Sequence, residues 1–184
     1  MIQHKKFYCY FFLCLVATGC FQKDEKHAAL ISEETKKEAT AFLQKFAAIR
    51  TAIPANPKAY LALFANDERF MIGGDDGFRT DYQKFYDRTI NNPERLNPKW
   101  VTQFDLNFHD LKIRQLDAGN LIFITYFDEF VRAKSGDTLS LKNNIIHGSL
   151  IKVDGTWKIL SMLYAHNAAD EKLDAEFDAR NTDK

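Results

Sequence analysis

Beyond residue 20 the chain contains no cysteine; its three cysteines stand at 9, 14 and 20. The body of the chain therefore has no disulfide, no thiolate metal ligand and no cysteine nucleophile. Long apolar runs are absent as well. The longest is the eleven-residue "FYCYFFLCLVA" near the start, and a membrane-spanning helix needs about 20. Neither sign of charge is in excess, with 25 Lys and Arg against 25 Asp and Glu. Without a basic stripe, nucleic acid is not an expected partner. No His-x3-His, no paired cysteines and no Walker-type glycine loop occur. "GGDDG" at 73–77 lacks the alternating oxygen ligands and closing glutamate of a calcium loop. No metal, nucleotide or cofactor is implied.

What is abundant is aromatic surface. Sixteen of the 184 residues are phenylalanine and 14% of the chain is Phe, Trp or Tyr. That much ring area requires a substantial core or a lined cavity. At 46% hydrophobic and 27% charged the composition is that of a globular protein, and the length suits one domain with short extensions.

The first twenty residues have a different character. A basic start, "MIQHKK", precedes the apolar run, and "TGC" follows it. This order reads as an export signal. "ATGC" at 17–20 resembles the lipobox of bacterial lipoproteins, with Ala17 and Leu15 around the place where that motif usually has leucine. The resemblance implies a signal peptide over 1–19, a lipid on Cys20 and a tether over 20–30. The chain would then sit in a bacterial cell envelope, held to the membrane through its N-terminal lipid. Phe21 after the lipid site favours the outer membrane. Loss of Lys5 and Lys6 with the signal leaves 23 basic residues against 25 acidic.

Ser32 followed by Glu33 and Glu34 predicts a helix start. Ala39, Phe42, Leu43, Phe46, Ala47 and Ile53 recur at helical spacing, and Pro54 and Pro57 are expected to end that helix. Residues 58–65 predict a short second helix that buries Tyr60, Leu63 and Phe64. Residues 69–74 read as a strand and 75–77 as a turn. A third helix over 80–90 gathers Tyr82, Phe85, Tyr86, Thr89 and Ile90 on one face. After the proline-bearing loop "NNPERLNP" the period changes to that of strands, over 100–116, 121–132, 139–153 and 156–165. Residues 168–184 form a charged C-terminal tail, read as a frayed helix or a loose end.

"RFMIGGDDGFRTDYQKFY", "VDGTWKI" and the polar end of the last strand resemble the nuclear transport factor 2-like superfamily in its SnoaL-like branch. The likeness covers residues 31–167. It implies an α+β fold: a cone-shaped, mostly antiparallel curved sheet wrapped over three helices, with a pocket between them and dimerisation through the sheet. Members include isomerases, dehydratases and cyclases, and also domains that only bind or assemble. The family's His-x-His after the tryptophan is missing, with Ser161 and Leu163 in its place and a histidine only at His166.

A two-residue Asp154-Gly155 turn pairs Val153 with Thr156. By alternation His147 then faces Met162, and Asn143 faces His166. If Arg132 pairs with Leu139, Asp128 comes level with Asn143 and His166, while Tyr126 and Tyr164 flank Ile145. Asp128 and His166 would then form an acid–base pair suited to proton abstraction beside a carbonyl, or to dehydration. Tyr126, Asn143, His147 and Tyr164 would complete a polar cluster, and Tyr82 and Tyr86 would line the cone. Against this, Trp157, Ile159 and Leu163 also read as a core face, which would turn both histidines outward. The expectation drawn from these patterns is a tethered domain binding a small apolar molecule or peptide, or serving in assembly. The alternative is an isomerase, dehydratase or cyclase using Asp128 and His166.

Overall fold

The first helix, α1 (Glu33–Arg50), begins where its capping residue predicts. The Ser32 hydroxyl accepts from the Thr35 backbone N–H at 3.0 Å, with Glu33 and Glu34 in the positive first turn. Ala39, Phe42, Leu43 and Phe46 are buried along one stripe. The helix stops before the prolines: the Thr51 N–H bonds the Ala47 carbonyl, and Ile53 lies beyond the helix, exposed. Pro57 opens the next helix rather than ending this one. It stands in the first turn of α2 (Pro57–Leu61), where its missing N–H leaves no bond unmade. Leu63 and Phe64 follow α2 and are buried as expected.

This structure, a computed structural model, describes residues 31–74, 77–166 and 168–182. The expected signal peptide, Cys20 and the tether lie outside the described residues. None of the described helices is long and apolar enough to cross a membrane.

Two short strands, β1 (Met71–Gly74) and β2 (Gly77–Arg79), precede helix α3 (Tyr82–Asn91), which is capped by Asp81. A 3-10 turn at Pro93–Arg95 leads to four long strands. These are β3 (Val101–Asp117), β4 (Asn120–Ala133), β5 (Thr138–Val153) and β6 (Thr156–Ala165), each within two residues of the predicted limits. They form one mixed, curved sheet in the order β2-β1-β6-β5-β4-β3, in which β1 and β6 pair in parallel and the other described neighbours pair antiparallel. The inner face packs against α1, α2 and α3 through an aromatic core. Phe64 lies 5.0 Å from Tyr60 and 5.2 Å from Phe85, ring centre to ring centre. Phe70 continues the cluster at 5.3 Å from Phe85.

Two irregularities decide which side chains face inward. On β6, pairing follows the predicted turn register from Val153↔Thr156 to Leu150↔Ile159, and then Ser149 pairs with Ser161. Leu160 is the extra residue of a β-bulge, and every later residue of β6 changes face. Met162 and Tyr164 thereby join Trp157 and Ile159 on the core side. Leu160 turns away and packs with Ala65 and Ile151. Just past the bulge Gly148 pairs with Met162, and a Cβ there would collide with the Ser161 carbonyl oxygen and come within 3.0 Å of the Phe123 ring.

The second irregularity separates β4 from β5. Arg132 pairs with Thr138 rather than with Leu139, yet Tyr126 pairs with Ile145 as predicted. Between these points Lys142 and Asn143 bulge opposite Asp128, and Asn143 takes a positive φ of 56°.

The C-terminal segment is an ordered helix, α4 (Ala168–Thr182), rather than a loose tail. Phe177, 1% exposed, enters a second core with Val101, Phe104, Val131, Leu139 and Leu141, and its ring meets Trp100 at 5.6 Å. Asp170, near the helix start, accepts from the Asn144 side-chain amide at 3.1 Å and the Lys142 N–H at 3.2 Å. At the far end Ser135 donates to the buried Asn181 amide oxygen at 2.8 Å.

Candidate functional site

Between the inner face of the sheet and the three helices lies a cavity of about 300 Å³. Its floor is apolar: Phe46, Phe85, Ile72, Ile146, Phe127 and Met162. The Tyr60 ring belongs to this floor, and burial pushes its hydroxyl up to about 12, although Arg50 and Arg79 pull the other way. Tyr164 crosses over Gly74, where there is no room for a Cβ. Pockets that hold small molecules have this make-up, an apolar lining with a few convergent polar groups.

Polar groups complete the lining. Glu129 projects from β4 on the same side as Phe127 and Val131, and burial raises its carboxyl above the usual range, against the opposing pull of Arg50 and His166. His166 follows β6 directly and is packed edge-on between Phe127, 5.8 Å away, and Tyr164, 6.1 Å away. Asp174 of α4 forms part of the same wall. Four arginines also line the cavity: Arg50 from the last turn of α1, Arg79 from β2, Arg88 from α3 and Arg95 from the 3-10 turn. Arg50 is the most fixed of them. One of its Nη atoms donates to the Leu96 carbonyl at 2.5 Å and to the Asn97 side chain at 3.3 Å, and its guanidinium lies 4.7 Å over the Phe104 ring.

A curved mixed sheet enclosing three helices and a lined cavity is an architecture met in other proteins. No protein-family model and no curated protein matches this sequence. Solved structures do match by shape. A nuclear transport factor 2-like superfamily protein from Salmonella enterica superposes with a TM-score of 0.58 at 13% identity, over 72% of this chain and 91% of that one. Aln2 from a Streptomyces species gives 0.60 at 16% identity, over 79% and 98%. A hexachlorocyclohexane dehydrochlorinase, LinA type 2, gives 0.58 at 10%, over 73% and 86%. The fold is the nuclear transport factor 2-like cone.

Within this cone the two residues expected to form an acid–base pair are apart. Asp128 stands on the outer face, where it accepts from the Asn143 N–H at 3.0 Å and pairs with Lys142 at 3.1 Å and His109 at 3.5 Å. The Asn143 N–H foremost holds its carboxyl below the usual range. His166 lines the cavity instead. The cause is the Leu160 bulge, which carries the end of β6 inward while Asp128 keeps the outward parity of β4. Tyr126, 41% exposed, stacks outside on His109 at 5.9 Å. His147 is exposed opposite Leu163 rather than Met162, and Asn143 belongs to the outer bulge. Tyr82 and Tyr86 pack at the core margin, 6.2 Å apart, with Tyr82 at 5.5 Å from Phe70. Of the expected cluster, Tyr164 and His166 reach the nuclear transport factor 2-like cavity.

Glu129 and the four arginines were missing from the sequence expectation. Glu129 had a visible signal. Leu121, Phe123, Phe127, Val131 and Ala133 alternate as the buried row of β4, and Glu129 interrupts that row with a carboxylate. The arginines had none, because they come from four separate elements that only the fold brings together.

Proposed function

We propose that the domain binds a small molecule in the cone cavity, as an exported, envelope-located protein of the SnoaL-like branch tethered through a lipid on Cys20 and paired with a second copy through its sheet. The observation that carries the binding reading is the cavity: about 300 Å³ lined by aromatic and aliphatic side chains together with convergent charged groups. A neutral environment-sensitive dye, N-phenyl-1-naphthylamine, tests it on the purified full chain. Fluorescence enhancement is expected, and it should be lost in Leu106→Trp, which replaces an aliphatic side chain of the cavity wall with a bulky indole. Enhancement that survives Leu106→Trp, with the fold intact by circular dichroism, would place the dye elsewhere and defeat the reading.

A second reading is acid–base catalysis of the elimination or isomerisation kind. It is favoured by the raised carboxyl of Glu129, which senses His166 across the same cavity. LinA, of similar shape, is a dehydrochlorinase. Under this reading Glu129 and His166 take the roles first expected of Asp128 and His166. Glu129→Gln would abolish turnover of a reactive carbonyl or halide substrate while leaving its binding in place.

A further inference from the structure

Four arginines line the cavity against two carboxyls, Glu129 and Asp174. Of its four arginines, Arg50, Arg88 and Arg95 have no carboxylate within 4 Å among the described residues. Arg50 is the telling case. It is half-buried on an aromatic wall, and among the described residues its guanidinium hydrogen-bonds only a carbonyl and a side-chain amide oxygen. A guanidinium taken partly out of water usually ends against an anion, because desolvation without a partner is costly. Neither Glu129 nor Asp174, the two carboxyls of the wall, forms an ion pair with Arg50 among the described residues, and burial raises the Glu129 carboxyl above its usual range. Arg50 is also preorganised, since its contacts with Leu96, Asn97 and Phe104 fix the fork before any ligand arrives.

From this arrangement we infer that the cavity takes a small organic acid, its carboxylate held by Arg50 with Arg88 and Arg95 at the entrance and its apolar body on the Phe46, Tyr60 and Phe127 floor. A planar carboxylate matches the guanidinium fork and can accept two parallel N–H bonds. The volume limits the body to about one or two rings or a medium-length chain. This inference rests on the reading that the cavity binds small molecules, and it adds the charge of the ligand.

Matched acids and amides separate the two claims. Phenylacetate, 1-naphthylacetate and decanoate, each with its primary amide, are titrated into the full chain by calorimetry. The best acid is expected to bind about tenfold or more tighter than its amide, as a charge-assisted hydrogen bond would give. Arg50→Met should remove that preference, weakening the acid about tenfold or more and the amide far less. Should Arg50→Met fail to fold, Arg88→Gln/Arg95→Gln tests the same point, since both side chains are exposed; it should weaken the acid by about threefold or more and spare the amide. Equal affinity of acid and amide for the parent protein overturns the inference and leaves the cavity reading standing. If no acid and no amide binds, both fall.

Discussion

Helix α4 is held to the sheet by one large apolar side chain, and removing it should release the helix without unfolding the rest. Phe177 is 1% exposed, while Leu173, the other large apolar residue of the helix, is 48% exposed and contributes little. A fully buried phenylalanine removes about 150–250 Å² from water, and at about 25 cal/mol per Å² that is about 4–6 kcal/mol. Phe→Ala in cores costs about 3–5 kcal/mol, in agreement. The core that Phe177 enters is separate from the aromatic core beneath α1, α2 and α3. The loss should therefore fall first on α4. A cost of about 4 kcal/mol raises the opening equilibrium of the helix by about three decades. Native-state hydrogen exchange in Phe177→Ala should show the amides of Glu171–Asn181 exchanging faster by about that factor, while those of β4 and β5 change far less. Protection of α4 within about threefold of the parent would refute the anchoring argument, and equal loss across the sheet would refute its locality.

Glu129→Gln should stabilise the protein at high pH. The native carboxyl sits above its ordinary range, so the stability owed to its neutral form is complete below about pH 4 and is lost as pH rises through the raised native value. Urea unfolding should show the variant more stable than the parent at about pH 8 and equal to it at about pH 4; a less stable variant at the higher pH contradicts the sign. Gly148→Ala, which drives a methyl group against the Ser161 carbonyl, should cost about 1–3 kcal/mol, whereas Gly119→Ala, with its nearest contact at 3.8 Å, should change little in the same thermal melt. Asp128→Ala removes the acceptor of the Asn143 N–H and should lower stability by about 1 kcal/mol without altering ligand affinity. His166→Ala should alter affinity, and a reversed pattern in calorimetry would return Asp128 to the site.

The long strands and the amphipathic helices could be read directly, because the period of the chain switches cleanly near residue 100 and turn residues mark each reversal. The inward and outward faces of β6 could not. From Ile159 to Tyr164 almost every residue is apolar, so the run "ILSMLY" satisfies either parity, and nothing in it announces that Leu160 is the extra residue. On β5 the apolar pairs Ile145-Ile146 and Leu150-Ile151 likewise fit either parity, and Ile146 and Leu150 face the core. Helix α4 was underread for the opposite reason. Its sequence is charged throughout, and its docking depends on one ring, one Asp and one Asn rather than on an apolar stripe. The end of α1 was overextended because prolines forbid a helix but do not say how far before them it stops.

The bulge at Leu160 makes the contents of the cavity a matter of parity. Because side chains alternate, one surplus residue exchanges the inward and outward sets for the whole remainder of the strand, and here it carries Met162, Tyr164 and His166 into the interior. Gaining or losing a single residue near this point would trade those three for Ser161, Leu163 and Ala165 in one event. In such a fold ligand preference can diverge by a change in chain length alone, with no side chain of the site replaced, and chains whose sites look unrelated can differ by one codon.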